Sequence, residues 1–238
     1  MRGYVAAGGW VLIALAATAL WPGEVNARGF RRPVVLGRSV DGRPIVAYEV
    51  GDRSSPRKVL VVGCIHGNEP AGIAITRLLE ASSPHRTDLW VVPVLNPDGF
   101  AVGTRGNARG VDLNRNFPWR WRPLGGIYYS GSRPLSEPES RIAHRLIERL
   151  RPTISIWFHQ HLGVVDESGG SVSVERRFAS LVELPLARLA RYPGSVTGWQ
   201  NHSFPGTTAF VVELPPGLLA SSVAARYARA VLRLAEAG

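Results

Sequence analysis

His66 and Glu69 stand three positions apart in the step His66-Gly67-Asn68-Glu69, just past the apolar run Val59-Leu60-Val61-Val62. The run reads as a buried strand. Gly67 permits a tight turn, and Pro70 suits the first position of a helix. An imidazole and a carboxylate at a strand exit can converge on one metal ion, and zinc takes both donor types. The step is short, so its weight depends on a third ligand and on a base supplied elsewhere.

A catalytic zinc takes three protein ligands and keeps a position open. The third is expected to be a histidine from a distant segment. The remaining histidines are His85, His144, His159, His161 and His202. His85 falls in a polar loop, His144 within a helix and His202 in a loop near the end. His159 and His161 follow the strand Thr153–Phe158; His159 is preferred because it lies nearer the strand end, with His161 as the alternative. Hydrolysis also needs a general base. Glu213 closes the apolar strand Ala209-Phe210-Val211-Val212, where a carboxylate is costly unless it is paired or faces a site. The segment Arg105 to Pro118 concentrates guanidinium and amide donors. Within it, Asn114 and Arg115 suit a bidentate grip on a carboxylate, and a second arginine suits an oxyanion.

Strands and helices must position these groups. Gly37–Gly51 reads as a hairpin turning at Asp41-Gly42. Leu60–Cys64 and Leu89–Leu95 are apolar strands, and 70–81 has helical spacing. Asn96-Pro97-Asp98-Gly99 reads as a turn, and Phe100–Arg133 as a long loop of the kind that carries function. Ser136-Glu137-Pro138-Glu139 has the form of a capping box with Ser136 as N-cap, opening a helix to about Leu150. A helix over 176–191 interrupted by Pro185, a strand at 208–213 and a helix over 218–236 complete the chain. The alternation predicts an α/β sandwich of helices on a mostly parallel or mixed sheet, in which ligands gather beyond strand ends.

The composition is that of a globular chain of 238 residues, with a net charge of +10 carried almost wholly by arginine, Lys58 being the sole lysine. Genome-wide bias accounts for this, and so does attraction to an anionic wall polymer or membrane surface. No basic block interleaved with aromatics is present, so no nucleic-acid partner is expected. Cys64 is the single cysteine, which excludes an internal disulfide and reads as a buried thiol. Residues 1–27 have the layout of a secretory signal peptide: Arg2, an apolar stretch from Trp10 to Trp21, then Val25-Asn26-Ala27. Uncleaved, the same segment would be an N-terminal anchor and the sole link to a membrane. The expected localisation is secreted or cell-envelope, with residues 28–238 as one catalytic domain.

Taken in order, His66-Gly-Asn-Glu69, Asn96-Pro-Asp-Gly99, Arg105 through Asp112-Leu-Asn-Arg-Asn-Phe-Pro118, Ser136-Glu-Pro-Glu139, His159 and Glu213 in Val-Val-Glu-Leu resemble the zinc carboxypeptidases of the carboxypeptidase A type. The likeness is strongest to the small bacterial members of the murein peptide amidase kind and covers about Val35 to Pro215. It implies a single-domain, three-layer fold with a mixed sheet of about eight strands. It implies one zinc ion on His66, Glu69 and His159, Glu213 as base and proton shuttle, and Arg105 polarising the scissile carbonyl. Asn114 and Arg115 would hold the terminal carboxylate. The upstream stretch Gly198-Trp199-Gln200-Asn201-His202 lacks the tyrosine of the larger members, so no tyrosine is carried over; Tyr192 is the nearest. The segment after the third ligand, Gln160-His161-Leu162-Gly163, differs as well.

The expected activity is a zinc metallocarboxypeptidase, acting as a monomer on a peptide or muropeptide with a free C-terminal carboxylate, diaminopimelate being a candidate leaving residue. Two alternatives are an N-acyl amino acid deacylase of the aspartoacylase and succinylglutamate desuccinylase type, and a non-catalytic wall-binding protein using its basic surface.

Overall fold

The computed structural model describes Phe30–Ala237. The proposed leader lies outside these residues. Among the described residues no helix is long and apolar enough to cross a membrane.

Strands β1 (Arg31–Arg38), β2 (Pro44–Gly51), β3 (Lys58–Val62), β4 (Asp88–Val92), β5 (Ile154–Gln160), β6 (Val164–Asp166), β7 (Leu186–Ala187) and β8 (Thr208–Leu214) form one sheet. Their order is β1-β2-β4-β3-β5-β8-β6-β7. The four central strands β4, β3, β5 and β8 run parallel. β2 and β6 flank them antiparallel, so the sheet is mixed. The central strands are almost continuously apolar (Val-Leu-Val-Val, Leu-Trp-Val-Val, Ile-Ser-Ile-Trp-Phe) because helices cover both faces.

On one face pack α1 (Gly72–Glu80), α4 (Val172–Val182) and α6 (Ser221–Glu236), burying Ile75, Leu79, Phe178, Tyr227 and Val231 against Val59, Val61, Ile156 and Phe210. On the other pack α3 (Pro138–Leu150) and α5 (Val196–Ser203), with Leu113 and Phe117 of the long loop, over Leu60, Val62 and Trp157. This is the three-layer fold with a mixed eight-stranded sheet that the resemblance implies.

Several local expectations are corrected. The Asn96–Gly99 turn is the start of a short helix, α2 (Pro97–Val102), with Asn96 Oδ1 accepting from Gly99 N at 2.9 Å. Ser136 is not a helix cap: Glu137 holds the N-cap position without a side-chain bond. The hydroxyl of Ser136 instead donates to Glu137 and accepts from Asn116 Nδ2. Glu139 accepts from Val40 N and Asn107 Nδ2, tying the long loop to the β1–β2 hairpin. Tertiary partners thus outcompete the local capping box. The helix expected over 176–191 spans Val172–Val182 and stops at left-handed Glu183, before Pro185. His202 lies on α5 rather than in a loop.

Candidate active site

Three of the four central strands, β3, β5 and β8, end side by side, and their C-terminal ends carry the polar groups. β3 leads into His66 and Glu69, which the turn through Gly67 brings together. A Cβ at Gly67 would lie 1.9 Å from the Gly99 carbonyl carbon, so only glycine lets the ligand turn pack on α2. β5 delivers His159, and β8 delivers Glu213 directly opposite it in the parallel register.

His66 Nδ1 and Glu69 Oε2 are 2.9 Å apart, His159 Nδ1 and Glu69 Oε2 3.0 Å, and the two Nδ1 atoms 3.1 Å. All three residues are buried. Zinc bonds of about 2.0–2.2 Å in a tetrahedral site place ligand atoms roughly 3.3 Å apart, within a few tenths of an ångström of this triangle. The donor set, two imidazole nitrogens and a carboxylate oxygen facing one centre, therefore fits a zinc ion. His159 joins the triangle; His161 is exposed and lies only along the wall of the adjoining cavity. Burial by itself would raise the pKa of Glu69. Hydrogen bonds and charge from His159 and His66 outweigh it and hold this carboxyl far below its usual range.

Asp112 stands behind His66, its Oδ1 3.0 Å from Nε2. A carboxylate on the second nitrogen fixes the ring orientation and tautomer of a metal-binding histidine. Asp112 is fully buried, and it also accepts from Asn114 N and from Arg105 Nε, both at 2.9 Å. Asp112 lies within the loop motif, but no spacing rule connects it to His66 across 46 residues, so local sequence pattern assigns it no role.

Arg105 bridges Asp112 and Glu69, donating from Nη1 to Glu69 Oε1 at 2.9 Å. Its loop is pinned by Asn96 Nδ2, which donates to the carbonyls of Arg105 and Gly106. The Asn96–Gly99 motif therefore both caps α2 and places Arg105. Glu213 is half-buried, and its Oε2 has no protein partner among the described residues. Burial raises its pKa; the charge of Glu69 adds to the rise, while His159 and His66 oppose it.

Asn114 and Arg115 form a 3-10 turn with Leu113, capped by Asp112. Asn114 Oδ1 accepts from Val196 N at 3.0 Å, which docks the turn on α5. The Arg115 guanidinium is buried beside Tyr192 (4.1 Å to the ring centroid) and Tyr128 (5.3 Å). Burial depresses its pKa. Tyr128 and Tyr192, to which the sequence reading assigned no part, thus frame Arg115 through cation–π contacts. Every predicted site residue borders one cavity of about 710 Å³. Cys64, by contrast, is a fully buried thiol that donates to His66 O, its pKa pushed up to about 12 chiefly by burial.

A hydrolytic centre at the carboxyl ends of parallel strands, built to hold one zinc and facing a guanidinium-lined cavity, defines the class of zinc-dependent peptide hydrolases. A family profile described as zinc carboxypeptidase matches residues 27–165, and the chain belongs to that family. Murein peptide amidase A of Escherichia coli (strain K12) is 32% identical over 180 residues, covering 68% of this chain and 74% of that protein. Murein peptide amidase A of Vibrio campbellii is 32% identical over 215 residues, covering 83% and 85%. The crystal structure of the murein-tripeptide amidase from Escherichia coli O157 superposes with a TM-score of 0.75 at 28% identity, covering 91% of this chain and 97% of that one. Carboxypeptidase A from Helicoverpa armigera shares the fold with a TM-score of 0.74 at 17% identity. The chain is a zinc-dependent peptide hydrolase.

Proposed function

We propose that this enzyme removes a C-terminal residue from cell-wall peptides, working as a monomer outside the cytoplasm after export by the leader at 1–27, with residues 28–238 as its catalytic domain. The observation that carries the reading is the single cavity that joins the His66–Glu69–His159 triangle and Glu213 to Asn114 and Arg115. The relatives described above, three of them murein peptide or tripeptide amidases, support a wall peptide as substrate. The deacylase alternative is not favoured, since the family match is to zinc carboxypeptidases.

His66, Glu69 and His159 would hold the zinc, which when bound supplies a Lewis acid that acidifies water and polarises a carbonyl. The chain's own groups do the rest. Asn114 and Arg115 take the terminal carboxylate and fix the scissile bond over the site. Glu213 accepts a proton from the attacking water and returns it to the leaving nitrogen; its raised pKa brings it closer to the pH at which both transfers are balanced. Arg105 stabilises the oxyanion, and Asp112 keeps both His66 and Arg105 oriented.

The test is incubation of the zinc-loaded enzyme with a muropeptide panel and a plain peptide panel, read by mass spectrometry. Release of a C-terminal residue from muropeptides is expected. Release from plain peptides alone would remove the wall assignment.

A further inference from the structure

Gln160 is the last residue of β5 and pairs with Leu214, the last of β8, so the backbone ladder between these strands ends at this pair. Past it, the chain leaving β8 runs through Pro215, Pro216 and Gly217, and the latter two border the active-site cavity. Neither proline has a backbone N–H to donate. Among the described residues, no backbone–backbone hydrogen bond involves 215–219. The side chain of Gln160 supplies what the ladder cannot: Nε2 donates to Pro215 O at 3.1 Å and to Gly217 O at 2.8 Å. Gly217 has a φ of 82°, in the left-handed region, a turn that suits glycine.

The same amide reaches the loop that carries two of the ligands. Gln160 Oε1 accepts from Ala71 N at 3.0 Å, two residues past Glu69, and the backbone N–H of Gln160 donates to Glu69 Oε2 at 3.2 Å. A primary amide offers one acceptor oxygen and two N–H donors, and here the oxygen and both donors are engaged. Turned over, it would set N–H against the Ala71 N–H and oxygen against two carbonyls, so one orientation alone satisfies all partners. Gln160 thus ties together the segment of His66 and Glu69, its own strand with His159, and the exit of the strand that carries Glu213.

We infer that Gln160 is a positioning residue for hydrolysis: its amide fixes the exit of β8, and with it Glu213, relative to the metal triangle. The inference rests on the hydrolase reading above and adds a residue to its machinery without touching substrate. The physical reason lies in how Glu213 is held. Its Oε2 has no protein partner among the described residues, so the carboxylate is aimed chiefly by its backbone. That backbone is clamped two and four residues further on, at Pro215 and Gly217. Released there, the strand exit is free to shift, and the proton-accepting oxygen moves relative to a water held over His66, Glu69 and His159. A misplacement of about 1 Å costs up to about 100-fold in rate, with binding of zinc and of the substrate carboxylate left to groups that have not moved.

The test compares two variants with wild type, zinc-loaded, on whichever peptide wild type cuts best in the panels above. Gln160→Met keeps the length of the side chain and removes the acceptor and both donors. Gln160→Glu keeps an acceptor for Ala71 N and turns an oxygen toward the two carbonyls. Both should lower kcat by about 10- to 100-fold, with KM within about threefold. In Gln160→Met, zinc affinity by chelator competition should also stay within about threefold. Amide hydrogen exchange of Ala71, read by NMR, should quicken in Gln160→Met and stay slow in Gln160→Glu, so that loss of kcat follows the donor half of the amide. In wild type the Ala71 amide and the Gln160 side-chain amide protons should both exchange slowly, which needs no variant to fold. An unchanged kcat in folded variants, a loss carried by KM or by zinc affinity, or rapid exchange of those protons in wild type would overturn the inference. Release from plain peptides alone removes the wall assignment and leaves this comparison intact. An unchanged kcat of the variants on a muropeptide removes the positioning role and leaves the wall assignment.

Discussion

Asp112→Asn is the substitution that separates a positioning carboxylate from a ligand. Asp112 carries three bonds at once: His66 Nε2 at 3.0 Å, Asn114 N at 2.9 Å and Arg105 Nε at 2.9 Å. An asparagine can keep the first two through its single carbonyl oxygen, but its amide then points N–H at the Arg105 N–H, donor against donor. Turned over, it points the amide at His66 and loses the ring's orientation. The charge that favours the imidazole N–H is lost in both cases. Removing a partner of this kind weakens metal affinity by about 10- to 100-fold, or roughly 1.4–2.7 kcal/mol at about 1.36 kcal/mol per decade. Zinc affinity is measured by competition with a chromophoric chelator, alongside urea unfolding to show that the variant is folded. A folded Asp112→Asn protein whose zinc dissociation constant stays within about twofold of wild type would refute the reasoning, because His66 would then need no support from behind.

Three further outcomes follow from the same geometry. Glu213→Gln should lower kcat by at least about 100-fold while zinc affinity in the same competition assay stays unchanged, since Glu213 lies outside the ligand triangle. Gly67→Ala should destabilise the fold by about 3 kcal/mol or more, because its Cβ meets backbone atoms of Gly99 and Phe100 at 1.9–2.2 Å; denaturant unfolding of the variant checks this. Asp98 predicts an acid-dependent loss of stability. Burial opposes its charge, but Asp41 N, Arg43 and Ser39 Oγ together hold its pKa below the ordinary aspartate value. A depressed folded-state pKa stabilises fully above the unfolded-state pKa and is lost as pH falls through the folded value. The gap in unfolding free energy between wild type and Asp98→Asn, about 2 kcal/mol near neutral pH, should therefore close below about pH 4; a gap independent of pH would contradict the assignment.

Elements whose signals are local are readable in the amino-acid order. A turn glycine between two ligand-type residues, apolar runs that stop at polar groups, and the alternation of strand and helix are all written in consecutive residues. So His66, Glu69, Glu213 and the α/β class were legible from pattern, and the Asn-Arg pair stood out by chemistry. Helix boundaries failed where a long-range bond beat a local one, as Asn116 and Asn107 did by taking Ser136 and Glu139 away from the expected capping box. Features that depend on strand register and loop closure emerge only on folding. His159 rather than His161 joins the triangle because β5 pairs with β8 to set His159 opposite Glu213. Asp112 reaches His66, Tyr192 reaches Arg115, and Arg191 reaches Asp166 across separations of 46, 77 and 25 residues. No local propensity encodes such contacts, since they exist only once the sheet has fixed where each chain segment returns.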